Sequence, residues 1–316
     1  MASYDKAEIG RVASEYGFVR DTFEKVLRIV KILRYFNEQE FLKEHLVLKG
    51  GTAINLTIFN LPRLSVDIDL DYMPNENKDD MLKSRERITE IIKTHMESEE
   101  YTLSSASRFS FSLDAFYYQY RNCGGNQDMI KIEINYSLRA HVFSPVLRSV
   151  LPEAFNDGEK ILTLDPIEIF AAKGNALISR AAARDLYDWG NFISSDLAAD
   201  KRKRDLFRKC FIFYTTVSAE TINLSFDTAA IETLTFNKIR RDLFPVISNQ
   251  DKFLLEERKK AAKEYITELM QLTKNEKKYM ECFKEKDYRP ELLFEDAKIL
   301  DNIKAHPMAL WKCRKE

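Results

Sequence analysis

Aspartate occupies every second position of one short, otherwise apolar segment, at Asp67, Asp69 and Asp71. Successive side chains of a β-strand point to opposite faces, so a strand here places the three carboxylates on one face. The Asp67 and Asp69 carboxylates would then lie about 6–7 Å apart and repel by about 2–3 kcal/mol at an effective dielectric of about 20. A divalent cation turns that repulsion into attraction, because hard cations such as magnesium bind oxygen ligands. The spacing therefore predicts a metal site at Asp67 and Asp69.

A turn of small residues, Gly50-Gly51-Thr52, precedes this strand by one helical stretch. Glycines let a phosphate approach the backbone closely, and the N-terminus of a following helix offers free N–H groups to an anion. The combination predicts a phosphate site next to the metal. The alternative is a tight turn before an exposed edge strand whose aspartates oppose aggregation. Nothing in the motif order requires Asp71, which we expect to be exposed at the strand end.

A second alternating segment, residues 129–135, has isoleucines on one face and Lys131, Glu133 and Asn135 on the other. If this strand neighbours the first, Glu133 supplies a third carboxylate, which either binds the metal or accepts the proton of an attacking hydroxyl. The alternative is a plain amphipathic strand with an exposed Lys131–Glu133 pair. The apolar face does not distinguish the two interpretations.

A third group of charged residues follows, with Lys173, Arg180 and Arg184 at spacings of seven and four. These spacings place the cations along one stripe of a helix, where they could meet a triphosphate. Phosphoryl transfer needs mainly positioning and charge neutralisation of this kind. In the alternative, Asp185 is a helix N-cap, Asp188 is its capping partner, and the cations are solvated.

Hydrophobic periodicity divides the chain into an α/β half and a helical half. Apolar residues recur at helical spacing within 21–40 and 79–100, and with a period of two within 107–120 and 129–137. Asp165, Pro166 and Glu168 resemble an N-cap, a first helical residue and a capping-box glutamate of a helix reaching about Ala183. A short helix over 185–194 follows, and nearly every segment after residue 200 is helical in pattern. We therefore expect a division near residues 195–200.

Composition sets limits on the class of protein. The 316 residues are 45% hydrophobic with a formal net charge of −1, so a sizeable core is expected and nucleic-acid binding must use local patches. The four cysteines are scattered, and neither a signal peptide nor a membrane span is apparent, which indicates a cytoplasmic setting. One basic run, Lys201 to Arg204 with Arg208 and Lys209, could meet an RNA backbone or be a solvated helix face.

Three motifs in order resemble the nucleotidyltransferase family of the AbiEii/AbiGii toxins, within the DNA polymerase β-like nucleotidyltransferase superfamily. The resemblance spans about residues 20–195, and the helical half matches by general character only. The motifs are Lys49-Gly50-Gly51-Thr52-Ala53, Arg63-x-Ser65-x-Asp67-Ile68-Asp69-Leu70, and Lys173 through Arg180 to Arg184-Asp185-Leu186-Tyr187-Asp188.

This resemblance implies an α+β fold, with a nucleotidyltransferase domain of mixed sheet and flanking helices over residues 1–197 and a helical bundle over 198–316. The superfamily also has a third carboxylate on a later strand, a position that Glu133 fits by type. Catalysis would rest on Asp67, Asp69, Glu133 and Lys173. The implied metal ligands are Asp67, Asp69 and Glu133, and the implied nucleotide-binding residues are Gly50, Gly51, Thr52, Ser65, Lys173, Arg180, Arg184, Asp185 and Asp188.

The expected reaction is magnesium-dependent transfer of a nucleoside monophosphate from an NTP to an acceptor hydroxyl, with manganese as the alternative metal. The resemblance implies an RNA acceptor, in particular the 3′ end of tRNA, and the role of a toxin in a bacterial toxin–antitoxin or phage-defence system. A cognate antitoxin would then be a partner. Two alternatives are transfer to a small molecule, as in antibiotic adenylylation, and a non-catalytic nucleotide-binding regulator. Intact Asp67 and Asp69 argue against the regulator.

Overall fold

The computed structural model describes residues 5–156, 158, 160–218 and 225–314. The chain forms two compact units. The first comprises Met1–Arg139, Pro145–Leu164 and Val246–Asp251, and the second comprises Ala140–Ser144, Asp165–Pro245 and Lys252–Glu316. In this structure the main division therefore falls before residue 165, whereas the boundary at 197/198 stays a prediction about separate domains.

The first unit is built on a mixed β-sheet, as the sequence predicts. Its strands are β1 (Leu46–Lys49), β2 (Asp67–Tyr72), β3 (Thr102–Leu103), β4 (Arg108–Phe109), β5 (Leu113–Arg121), β6 (Gln127–Asn135), β7 (Val146–Ser149) and β8 (Lys160–Thr163). The strand order is β3-β5-β6-β2-β1-β8-β7, and β4 pairs with β5. Strand β2 runs antiparallel to β1 and parallel to β6.

Polar and apolar residues alternate along the two central strands, β2 and β6, so each strand buries one face in the core. On β2, Ile68 and Leu70 are buried, and on β6 the isoleucines at 130, 132 and 134 are fully buried. The helices of this unit are α1 (Lys6–Glu15), α2 (Arg20–Glu38), α3 (Glu40–His45), α4 (Gly50–Ala53), which continues as a π-helical turn over Ile54–Ile58, and α5 (Lys78–Ser98). The polar faces of β2 and β6 are thus left to carry the predicted chemistry.

The second unit is helical in the part of the chain that the structure describes. Its helices are α6 (Pro166–Arg180), α7 (Ala183–Ile193), α8 (Lys201–Ser218), α9 (Ala229–Glu232), α10 (Phe236–Asp242), α11 (Leu255–Leu269), α12 (Lys274–Lys284), α13 (Ala297–Ile303) and α14 (Pro307–Lys312). The predicted helical C-terminal region is therefore confirmed. No helix among the described residues has the length and hydropathy needed to span a bilayer.

The junction of α6 and α7 corrects one prediction. Helix α6 ends at Arg180, because Ala181 adopts a left-handed conformation with φ of 47°. Arg184 therefore belongs to α7, and a single helical stripe of Lys173, Arg180 and Arg184 is wrong. The N-cap of α7 is Ala182, so the alternative of Asp185 as N-cap is wrong as well.

Helix α6 begins as predicted, but Glu168 has another role. Asp165 caps the helix by accepting a hydrogen bond from the Ile167 N–H. The Glu168 carboxylate is fully buried and accepts hydrogen bonds from the backbone N–H groups of Val142 and Phe143. It also accepts one from the hydroxyl of Tyr214. Glu168 thus fixes segment 140–144 within the second unit.

We expect Gly174→Ala to lower the free energy of unfolding by about 1–3 kcal/mol, because overpacking a core costs that much. A Cβ at Gly174 would lie about 2.5 Å from the buried rings of Trp189 and Phe211, which have no room to move. Gly190→Ala is the matched control, since its Cβ would meet only the flexible side chain of Arg258. Urea denaturation of both variants tests this, and equal stabilities would contradict the packing described.

Candidate active site

Two adjacent strands, β2 and β6, bring the predicted carboxylates together. In the strand register, Asp69 on β2 lies opposite Lys49 on β1 and Glu133 on β6, while Asp67 lies opposite Lys131 on β6. Strand β6 is therefore the neighbour of β2, which is the condition that the sequence left open. Because paired residues of adjacent strands share a face, the Asp67, Asp69 and Glu133 side chains lie on one face of the sheet.

The charges on this face repel each other. Burial raises the pKa of Asp69 to about 6, and the negative charges of Asp67 and Glu133 add to the shift. Lys49 and Lys131 oppose the shift without cancelling it. The ionised Asp69 carboxylate is therefore unfavourable in the folded protein until further positive charge reaches it.

Two lysines neutralise part of this charge: Lys49, to which the sequence assigned no role, and Lys131, which it paired with Glu133 only in the alternative interpretation. The Lys131 Nζ lies 2.8 Å from Glu133 Oε2, and both side chains are about one quarter exposed. The Lys49 Nζ lies 2.5 Å from Asp71 Oδ1. Lys49 directly precedes the glycine turn, and Lys131 lies two residues before Glu133. Both positions could therefore have indicated from the sequence that these lysines lie near the carboxylates.

Asp71 differs from its prediction. Its side chain is buried, with 2% of the residue exposed, and pairs with Lys49. The expectation of an exposed strand-end residue is therefore wrong. A buried carboxylate needs a charged partner, and Lys49, on the neighbouring strand, provides one. Asp71 thereby holds the Lys49 ammonium near Asp69.

The glycine turn packs directly against β2. Gly50 has a φ of 70°, and a Cβ there would collide with the Asp69 carboxylate. At Gly51 a Cβ would lie 2.6 Å from Arg63 Nη2 and 2.7 Å from Ser65 Oγ. Glycine is required at both positions by this close approach as well as, at Gly50, by the left-handed backbone.

Thr52 joins the turn to the same strand. Its side chain is buried, and its hydroxyl donates a hydrogen bond to the backbone carbonyl of Asp67. In this structure Thr52 therefore fixes the position of the first aspartate. Contact of Gly50, Gly51, Thr52 or Ser65 with a phosphate stays a prediction.

The second unit contains the other predicted cluster. The Lys173 Nζ lies 2.9 Å from Asp185 Oδ1 and 2.9 Å from Asp188 Oδ2, and all three residues are largely buried. Asp185 Oδ2 is buried and accepts no hydrogen bond among the described residues, with the exposed Arg180 Nε 3.8 Å away. Arg184 instead donates from Nε to the Asp242 carbonyl, at 2.9 Å.

The β2 carboxylates fit a cation whose ligand set is completed by other groups. Among the described residues, no three His, Cys, Asp or Glu side chains are grouped closely enough to hold a metal by themselves. Magnesium characteristically binds through one or two carboxylates plus substrate phosphates. Asp67 and Asp69 match that donor set. Burial and then the charge of Asp67 raise the pKa of Asp69, so a cation bound here would favour its ionised form.

The fold is similar to that of a protein of known structure. It aligns with MenT4, a nucleotidyltransferase toxin from Mycobacterium tuberculosis H37Rv, with a TM-score of 0.65 and 16% identity over 98% of this chain and 99% of that chain. At this identity the similarity shows the fold alone. An antigenic nucleotidyltransferase-like protein from Paracoccidioides brasiliensis aligns with a TM-score of 0.37 and 17% identity over 54% and 76% of the two chains, too weakly to support any argument.

The family follows from the sequence. The family model described as nucleotidyl transferase AbiEii toxin, type IV toxin–antitoxin system, matches residues 31–283. The chain belongs to this family, and it is accordingly a nucleotidyltransferase of the toxin–antitoxin type. The expected family is thus confirmed. The search of curated proteins found no match.

We expect Asp69→Asn to stabilise the metal-free protein at pH 8 by about 1–3 kcal/mol, since one pKa unit corresponds to about 1.4 kcal/mol. The pKa of Asp69 is raised to about 6 in the folded state, so its favourable protonated form is lost as pH rises through 6. The advantage of the variant should therefore disappear below about pH 4. Urea denaturation across pH tests this, with exposed Asp79→Asn as control.

An Asp69→Asn variant that is less stable than the wild type at pH 8, in the presence of a chelator, would contradict the claim that the ionised Asp69 carboxylate destabilises the metal-free protein. Added magnesium should stabilise the wild type and leave the variant unchanged, because only binding to the folded state raises stability.

We expect Gly50→Ala to destabilise the protein by about 1–3 kcal/mol more than Gly125→Ala, because it adds a steric collision to backbone strain. Both glycines have positive φ, 70° and 84°, so both alanines carry the strain of a left-handed residue. Only at Gly50 does the Cβ meet the Asp69 side chain, whereas at Gly125 it meets nothing within 4 Å. Equal losses in denaturant titrations would show that Gly50 is required for backbone conformation alone.

Proposed function

We propose that the protein transfers a nucleoside monophosphate from an NTP to a hydroxyl of RNA, in a magnesium-dependent reaction that makes it a toxin. The observation that carries the proposal is the register of β2 and β6, which sets Asp67, Asp69 and Glu133 on one face of adjacent strands. A protein that used this sheet only as a scaffold would have no reason to keep three carboxylates together against their repulsion.

In this proposal Asp67 and Asp69 bind the magnesium, or manganese in its place. The cation would offset negative charge on the triphosphate and on the departing pyrophosphate. Lys49 limits the negative charge on this face while remaining paired to Asp71. Gly50 and Gly51 bring the backbone of the turn close to the Asp69 carboxylate, so a phosphate bound to the cation would lie beside this turn.

Glu133 is the proposed general base or a third metal ligand. Its carboxylate is partly exposed and so can reach an acceptor hydroxyl. Its ion pair with Lys131 holds the carboxylate in position on the polar face of the strand. Glu133→Gln with retained metal affinity and reduced transfer would identify the base.

We propose that Lys173 binds the triphosphate, assisted by Arg180. The Asp185 and Asp188 carboxylates hold the Lys173 ammonium in a fixed position. The Arg180 side chain is 74% exposed and is therefore accessible to an anion. Asp185 Oδ2, which accepts no hydrogen bond among the described residues, provides an acceptor for a group of the bound nucleotide. Arg184, which donates to a backbone carbonyl, is a weaker candidate for nucleotide binding.

The acceptor that we propose is RNA, and specifically the 3′ end of tRNA. Family membership supports a toxin with a cognate antitoxin, and modification of tRNA would block translation in the cytoplasm. Transfer to a small molecule and nucleotide binding without catalysis remain the competing functions. The three functions predict different destinations of the transferred nucleotide, which makes them separable in one assay.

We expect purified protein with magnesium and one α-labelled NTP to label RNA when total bacterial RNA is supplied. Asp69→Ala should lower the rate at least about a thousandfold, since losing a catalytic cation costs several kcal/mol of transition-state stabilisation. Exposed Asp79→Ala should retain the wild-type rate. Gel electrophoresis of the RNA and chromatography of the small-molecule fraction measure the product.

Label only in small molecules would replace RNA with a metabolite as acceptor. NTP binding without any transfer would favour the regulator. An Asp69→Ala variant with wild-type activity would contradict the assignment of the metal ligand.

A further inference from the structure

A groove with a basic lining lies entirely within the second unit. Its volume is about 770 Å³, and it is bordered by residues 142–144, one side of α8 and the start of α13. Three hydrogen bonds fix its wall: the Glu168 carboxylate accepts one each from the backbone N–H groups of Val142 and Phe143, and the Asn302 side-chain amide donates one to the Val142 carbonyl. The groove is therefore part of the folded unit.

The lysine–arginine run at the start of α8 supplies most of the positive charge. Lys201, Arg202 and Lys209 line the groove, and Lys298 of α13 faces it as well. Positions 201, 202, 205, 206 and 209 share one side of a helix by its period of 3.6 residues. Within the described parts of the chain, none of these four cations has an ion pair.

The cations on the other side of the same helix have partners. Arg204 Nη1 lies 2.8 Å from Glu268 Oε1, and Arg208 Nε lies 3.0 Å from the buried Glu276 Oε1. The run thus separates into a paired side, which joins α8 to its neighbours, and an unpaired side that faces the groove. The solvated-face interpretation accounts for neither the separation nor the groove.

Acidic residues of the lining do not cancel this charge. Asp205 pairs with Arg208 at 2.8 Å. Asp296 is the N-cap of α13 and accepts hydrogen bonds from two backbone N–H groups. Glu295 and Asp296 thus leave two negative charges against the four cations in the groove lining. The groove therefore carries an excess of positive charge in a protein whose net charge is −1.

We infer that this groove binds successive phosphates of the RNA acceptor. From Lys201 to Lys209 the helix rises about 12 Å, which is enough to reach more than one phosphate of a strand. The inference rests on the proposed function, in which the acceptor is RNA. Binding here would be independent of base sequence, because lysine and arginine contacts to phosphates carry no sequence information.

The test compares two triple variants that remove the same charge. K201Q/R202Q/K209Q removes the groove cations of α8, and K203Q/K260Q/K277Q removes three exposed lysines outside the groove lining. The probe is 5′-labelled bacterial tRNA without NTP, and fluorescence anisotropy measures its affinity from 50 to 200 mM salt. Binding of NTP by each variant is measured separately.

We expect the groove variant to bind tRNA about tenfold or more weaker at 50 mM salt, with a salt dependence reduced by about two in log–log slope. The control variant should match the wild type, and NTP binding should be unchanged in both. In transfer assays the groove variant should show a raised KM for tRNA with an unchanged kcat.

Equal tRNA affinity and equal salt dependence of the two triple variants would overturn the assignment of the groove as an RNA-binding site. The proposal that RNA is the acceptor would be unaffected. If the wild-type protein binds no tRNA but labels a small molecule, both the RNA-binding groove and the proposal of an RNA acceptor would be overturned. Loss of NTP binding in the groove variant would show a folding defect or a nucleotide site instead, and would also overturn the inference.

Discussion

Repulsion among carboxylates on the polar face of β2 and β6 is the constraint on which the site depends. Asp69 is raised in pKa to about 6 by burial and by the charges of Asp67 and Glu133. The sheet can hold these groups in register because the opposite faces of both strands bury branched apolar side chains. Stability contributed by the core thus offsets an electrostatic cost at the site, and a bound cation would relieve that cost.

The neighbouring elements adjust this charge without removing it. Lys49 is fixed by Asp71 and Lys131 by Glu133, so each cation is already paired within the strands. The glycine turn packs against the Asp69 side chain, and the Thr52 hydroxyl donates to the Asp67 carbonyl, so both fix β2. The cluster of Lys173 with Asp185 and Asp188 in the second unit differs, because there two carboxylates share one ammonium. Carboxylates outnumber lysines in both groups, and in the second the exposed Arg180, whose Nε lies 3.8 Å from Asp185 Oδ2, supplies a further positive charge.

The sequence predicted the elements whose signal is local. Alternation of Asp67 and Asp69 with apolar residues defined β2, and Asp165-Pro166 defined the start of α6. Strand pairing is not local, so the neighbourhood of Glu133 required the structure. Burial of Asp71 depends on a lysine 22 residues away, and the separation of Arg184 from Arg180 depends on one left-handed residue, Ala181. Neither has a periodic pattern from which it could be predicted.

The most direct test of the account is manganese binding followed by electron paramagnetic resonance, since the signal of free manganese falls as the ion binds. The wild-type protein should bind manganese, more tightly when an NTP is present, because substrate phosphates complete the ligand set. The double variant D67N/D69N should bind far more weakly while remaining folded. A double variant that titrates like the wild type would contradict the central claim that the β2 carboxylates are there to bind a cation.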